Sequence, residues 1–86
     1  MKIIMINAMW CPGCIVMHKV WNEIKTEYKD FSFESYDYDM DEEEVKKFNP
    51  GKILPITILF KDEKEVGRLN GEVTKEQIIE LINLNK

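Results

Sequence analysis

The apolar positions change their period along the chain, and each change marks an element. Lys2 to Asn7 is a short run with isoleucine at 3, 4 and 6 and no polar residue between Ile3 and Ile6. Such a run predicts a strand covered on both faces. From Pro12 to about Tyr28 the spacing lengthens to three or four residues, through Val16, Val20, Trp21, Ile24 and Tyr28, which predicts an amphipathic helix. Phe31 to Asp39, with Phe31, Phe33, Tyr36 and Tyr38, reads as a second strand of imperfect alternation. Asp41-Glu42-Glu43-Glu44 places a cap and negative charge at the start of a short helix ending near Phe48, which Asn49-Pro50-Gly51 terminates. Ile53 to Phe60 is the most strand-like stretch, but Pro55 lies inside it. Proline cannot donate to a ladder, so this strand needs an edge, a late start or a cis bond. Lys61 to Lys64 is a polar turn, and Glu65 to Leu69 returns as a partner strand ended by Asn70-Gly71. Thr74 and Gln77 match a capping box, and Ile78, Ile79, Leu81, Ile82 and Leu84 give the last helix a wide apolar face. The order is β-α-β-α-β-β-α, an α/β chain.

Length and charge narrow the function. Eighty-six residues, 44% of them hydrophobic, make one domain spanning 1–86 with a single modest core. The net charge is −4, Arg68 is the sole arginine and the lysines are scattered. An acidic surface without a basic stripe argues against nucleic acid as a partner. Ile3-Ile4-Met5-Ile6 follows one lysine and is too short for a signal or a membrane span. A cytoplasmic protein with no membrane partner is expected. In that reducing compartment a working thiol pair is expected in place of a permanent disulfide.

The two cysteines are three positions apart, in Trp10-Cys11-Pro12-Gly13-Cys14. Cys11 is the last residue before the predicted helix, and Pro12 falls in its first turn, where a missing N–H costs nothing. The orphan N–H groups and positive dipole end there favour a thiolate at Cys11. Cys14 comes one turn later, at the same corner but deeper. These positions cast Cys11 as the attacking thiol and Cys14 as the resolving one. Trp10 covers the apolar shoulder of the site, its plainer reading being a core aromatic. Two other readings of the pair stand beside this one, inert thiols and a soft-metal site. Met9 to Cys14 also fits M-x-C-x-x-C, the pattern of heavy-metal-associated domains, and His18 could add a third ligand or be a solvated helix residue. Those domains run β-α-β-β-α-β, whereas this chain ends on a helix. Asp37 to Glu44 lacks the glycine and ligand spacing of a calcium loop and reads as a solvated face. Met1, Met5, Met9, Met17 and Met40 read as core filler.

A strand, W-C-x-x-C, a helix and then a proline at the head of a hairpin strand, Leu54-Pro55-Ile56-Thr57-Ile58-Leu59-Phe60, together resemble the thioredoxin family. Gly67 and Gly71-Glu72-Val73-Thr74-Lys75-Glu76-Gln77-Ile78 are similar to its closing segment. The resemblance implies a compact, three-layer thioredoxin-like fold with a mixed four-stranded sheet. It implies a cis Leu54–Pro55 bond, with Pro55 against the two cysteines, hindering metal capture, and Leu54 offering its backbone to a bound partner; Pro12 and Gly13 then support the site. The implied activity is that of a thiol–disulfide oxidoreductase of the protein-disulfide reductase type, a small electron carrier in cell redox homeostasis. Its redox centre would be the Cys11–Cys14 disulfide, with no tightly bound cofactor. Its partners would be disulfide-containing proteins and a flavin-dependent reductase, and a monomer is expected.

The sequence departs from that family's pattern in three ways. It begins directly at the strand before the cysteines, as compact glutaredoxins do. Met5 stands where thioredoxins carry a buried acid. The Pro12-Gly13 centre reverses the thioredoxin order and differs from the glutaredoxin Pro-Tyr. A glutaredoxin-type, glutathione-dependent reductase is the second reading, but Ile53-Leu54-Pro55 replaces the usual Thr-Val-Pro and Gly67 and Gly71 stand apart.

Overall fold

Ile3, Ile4, Met5 and Ile6 are each at most 2% exposed, so β1 (Lys2–Asn7) is the buried spine of the sheet, as its unbroken apolar run requires. The computed structural model describes residues 1–51 and 53–86. After β1 come α1 (Pro12–Glu27), β2 (Ser32–Asp37), α2 (Glu42–Lys47), β3 (Ile56–Lys61), β4 (Lys64–Asn70) and α3 (Lys75–Leu84). The sheet order is β2-β1-β3-β4. β2 lies parallel to β1, while β3 is antiparallel to both β1 and β4. This is the mixed four-stranded sheet and the β-α-β-α-β-β-α order expected.

Alternation along β1 and β3 divides the core in two. Ile3, Met5 and Leu59 face α1 and α3, meeting Met17, Trp21, Ile24, Ile78 and Ile82. Ile4, Ile6, Ile56 and Ile58 face the other way, toward Val45 of α2 with Tyr36, Phe48 and Phe60 around it. The buried Thr57 breaks the apolar pattern of β3, and its Oγ1 accepts a 3.0 Å hydrogen bond from Trp21 Nε1. That bond satisfies two groups that would be costly to bury alone.

Some boundaries and positions differ from expectation, each for a local reason. β3 starts at Ile56 and not at Ile53, because Pro55 cannot extend the ladder and Ile53 turns out to solvent. β2 is shorter than expected, ending at Asp37. The Asp37 carboxylate accepts from the Asp39 and Met40 backbone N–H groups and pulls the chain into a turn. Asp41 holds the N-cap position of α2 but makes no capping bond there; its Oδ2 accepts from the Asp37 N–H at 2.8 Å. Met5 and Met17 are core residues, whereas Met9 and Met40 are 90% and 82% exposed and are not filler. The capping box forms as expected: Thr74 Oγ1 accepts from Gln77 N, and Gln77 Oε1 accepts from Thr74 N. The β3–β4 turn has Asp62 and Glu63 at φ 53° and 67°, the two left-handed residues that suit a tight right-twisting hairpin.

Candidate active site

At one end of the sheet β1, β2 and β4 finish and β3 begins, so four connections converge there. After β1 the chain closes a tight turn in which Cys11 N–H donates to the Ala8 carbonyl at 3.2 Å. The turn throws Met9 and Trp10 outward and brings Cys11 back under the sheet edge, 6% exposed. Cys11 is the N-cap residue of α1 in extended conformation (φ −98°, ψ 109°), and Pro12 follows in the first turn. Cys14 N–H donates to the Cys11 carbonyl at 3.2 Å, and the Cys14 side chain is 1% exposed. Both residues are free thiols.

Ala8, Cys11 and Cys14 form a small buried cluster of their own, against which Leu54 and Tyr38 pack. The presence of Leu54 follows from register. Ile6 pairs with Ile56 in the antiparallel ladder, and two further residues in each direction bring Leu54 beside Ala8. The Leu54–Pro55 bond is cis, Pro55 is buried, and its carbonyl accepts from Gly71 N–H at 2.7 Å, joining this loop to the one after β4. Burial pushes the Cys14 thiol up to about 12, assisted by its hydrogen bond with Cys11 and by the charges of Cys11 and Asp37; a hydrogen bond from the Ala8 backbone pulls the other way.

Trp10 is 61% exposed and is therefore no core aromatic. Its indole N–H donates to Asp39 Oδ2 at 2.6 Å, and its ring stands edge-on to Tyr38 at 6.3 Å. Through Tyr38, which packs on the cysteine cluster, it forms an apolar lip at the rim of the site. Pro12 is exposed, and Gly13 lies half-buried beneath the side chain of Glu72. A Cβ on Gly13 would fall 2.8 Å from Glu72 Oε1 and 2.9 Å from Glu72 Cγ. His18 is exposed on α1, edge-on to Trp21 at 5.7 Å. Among the described residues no group of three or more His, Cys, Asp or Glu could hold a metal ion, and no helix is long and apolar enough to cross a membrane.

Sequence reasoning missed Asp39, Tyr38 and Glu72. Asp39 lay in an acidic run that gave no hint of a tryptophan partner, and Glu72 comes from a segment 58 positions after Cys14 in the chain. The one available signal was Gly13, a residue without a side chain placed between two thiols.

The family model for thioredoxin, described by that name, matches residues 1–84. The chain belongs to the thioredoxin family. It is accordingly a thiol–disulfide oxidoreductase, and the β-α-β-α-β-β-α order separates it from heavy-metal-associated domains. A thioredoxin of Mycoplasmoides gallisepticum is 27% identical over 75 residues, which cover 87% of this chain and 74% of that protein. The thioredoxin of Fasciola hepatica is similar in structure, with a TM-score of 0.88 and 26% identity over 99% of this chain and 80% of its own. Thioredoxin-2, a component of the malaria parasite's protein secretion machinery, also has a TM-score of 0.88, at 25% identity over 98% of this chain and 82% of its own.

Proposed function

We propose that Cys11 and Cys14 are the redox pair and that the protein reduces disulfides of other proteins. The Cys11 thiolate attacks one sulfur of a substrate disulfide. The substrate S–S bond breaks, the second substrate sulfur leaves as a thiolate that takes up a proton, and a mixed disulfide remains on Cys11. Cys14, once deprotonated, attacks the Cys11 sulfur and expels the first substrate sulfur, which leaves an internal Cys11–Cys14 disulfide. The substrate has gained two electrons and two protons, and the protein has lost them. A flavin-dependent reductase returning two electrons, with two protons taken up, cleaves the Cys11–Cys14 bond and restores the dithiol, so in this scheme the sulfurs alone are the redox centre and no other cofactor is required.

The observation that carries this reading is the asymmetry of the pair. Cys11 stands at the mouth of α1 as its N-cap residue, while Cys14 lies one turn in, where burial holds its proton up to about 12. A deep thiol that keeps its proton does not compete in the first attack and is in place for the second. Leu54 packs against the cysteine pair as an apolar wall, Trp10 stands at the rim against Tyr38, and Pro55, Pro12 and Gly13 lie in the loops that hold the pair. A monomer in the reducing cytoplasm, serving electron transport and redox homeostasis, is the setting that suits this chemistry.

The test is trapping. Cys14→Ser is expected to accumulate a mixed disulfide with insulin or an aromatic disulfide, and Cys11→Ser to accumulate none. The unaltered dithiol is expected to reduce insulin with turnover when a flavin reductase is supplied, and alkylation is expected to abolish it. Equal trapping by both variants, or insulin reduction that survives alkylation, would overturn the assignment.

A further inference from the structure

Glu72 is exposed, yet its side chain lies flat on the Cα of Gly13, the residue between the two cysteines. Glycine leaves room for this placement: a Cβ there would meet Oε1 and Cγ at 2.8 and 2.9 Å and push the side chain aside. The carboxylate is thus carried over the middle of Cys11-Pro12-Gly13-Cys14. Among the described residues no cation lies within ion-pair distance of it; Lys75, three residues on, is paired with Glu27. On the opposite flank Asp39 holds the Trp10 indole. Asp39 follows β2 and Glu72 follows β4, the two edge strands, so a carboxylate stands on either side of the pair. Glu72 also lines a groove of about 490 Å³ between α1 and the start of α3, with Val16, Val20 and Val73 and with Lys19 and Lys75.

We propose that Glu72 is a specificity-determining residue that selects disulfides flanked by lysine or arginine and disfavours those flanked by carboxylates. This rests on the reading of Cys11 and Cys14 as the redox pair and names the class of substrate that the pair accepts. A polypeptide disulfide brought to Cys11 carries its neighbouring residues across the Cys11–Cys14 loop, where Glu72 lies. A basic neighbour meets an available carboxylate on a half-open rim, and an acidic neighbour meets like charge. Oxidised glutathione, whose arms end in carboxylates, falls in the disfavoured class. Because the charge is at the rim and exposed, it acts on the rate of productive encounter and fades with salt.

The experiment uses three short disulfide peptides, identical except for lysine, glutamine or glutamate beside the reacting cysteine. Each is mixed with reduced protein, and the second-order rate of its reduction is followed. Rates for the charged peptides are divided by that of the glutamine peptide with the same protein. At low salt the lysine-to-glutamate ratio is expected to be about fivefold for the unaltered protein and to drop at least about threefold in Glu72→Gln, the scale of exposed charge pairs. It is expected to approach unity near 1 M salt, where the screening length is about 3 Å. Gly13→Ala, whose added carbon displaces the carboxylate, is expected to lower the ratio as well. A ratio near unity in the unaltered protein, one unchanged by Glu72→Gln, or one that persists at high salt would overturn the proposal. Failure of the unaltered protein to reduce the glutamine peptide at all would sink the redox reading itself.

Discussion

In the proposed exchange a thiol buried to 1% exposure must still ionise, and the surroundings of Cys14 make that difficult. Burial, the neighbouring Cys11 and the charge of Asp37 all hold its proton on, and Met5 offers no carboxylate to take it. The consequence has a definite sign. The folded thiol titrates up to about 12, above the ordinary 9.0, so the unfolded chain releases this proton first as the pH rises. The stability of the dithiol protein is then complete below pH 9.0 and declines between there and about 12. The disulfide form has no such proton and no such decline. Urea midpoints of the two forms at about pH 7 and about pH 10.5 are expected to show the reduced protein losing ground relative to the oxidised one; a constant difference would contradict the burial argument. The places of the two thiols were legible in their order before and after Pro12, because the helix start puts one at its mouth and the next one turn in. The raised Cys14 was not, since Ala8 and Asp37 reach it through the fold and not along the chain.

The loops around the site are held by contacts between elements, and Arg68 of β4 makes the most explicit of them. Its guanidinium pairs with Glu65, with Nε donating to Oε2 at 2.6 Å, and reaches across to the carbonyls of Phe48 at 2.7 Å and Asn49 at 3.3 Å. One side chain therefore ties the hairpin to the end of α2 by donating to two carbonyls that follow its last turn. Lysine cannot reproduce that fork. Arg68→Lys is expected to destabilise by about 1 kcal/mol and Arg68→Ala by about 2 kcal/mol, in chemical denaturation, with disulfide reduction by the folded protein retained. Equal stability of all three proteins would remove Arg68 as a clamp. The order and type of every element could be read from the sequence, most from the periods of apolar residues, α2 from its acidic start and its Asn49-Pro50-Gly51 stop, and the capping box of α3 from Thr74 and Gln77 alone. The element ends could not. Asp41 reads as a cap, yet the turn begun by the Asp37 carboxylate claims its side chain, and Pro55 decides where β3 starts.

The two faces of the sheet are unequally covered, and this sets where the molecule opens first. α1 and α3 close one face with five buried side chains, Met17, Trp21, Ile24, Ile78 and Ile82, and the Trp21–Thr57 hydrogen bond locks the layer. The other face relies on six-residue α2, which contributes one buried residue, Val45, helped by the half-buried Tyr36, Phe48 and Phe60. The unbroken apolar run of β1 foretold a strand covered on both faces, but the thinness of the second layer depends on α2 being only six residues long. Tyr38 and Asp39, which steady the site and its Trp10 lip, lie in the connection that leads into this thin side. Free energies of local opening follow buried apolar contact, so α2 is the helix with least to lose. Hydrogen exchange of the reduced protein is expected to proceed first in the α2 amides, then in the 38–41 turn, and last in β1, β3 and the middle of α1. Binding of a substrate as a mixed disulfide on Cys14→Ser is expected to slow exchange in 38–41 more than in α3, because the Trp10–Asp39 lip is then pinned between partner and loop. Protection of α2 equal to that of α1, or slowing confined to α3, would show that the rim is as rigid as the sheet and that its adaptability does not come from the thin face.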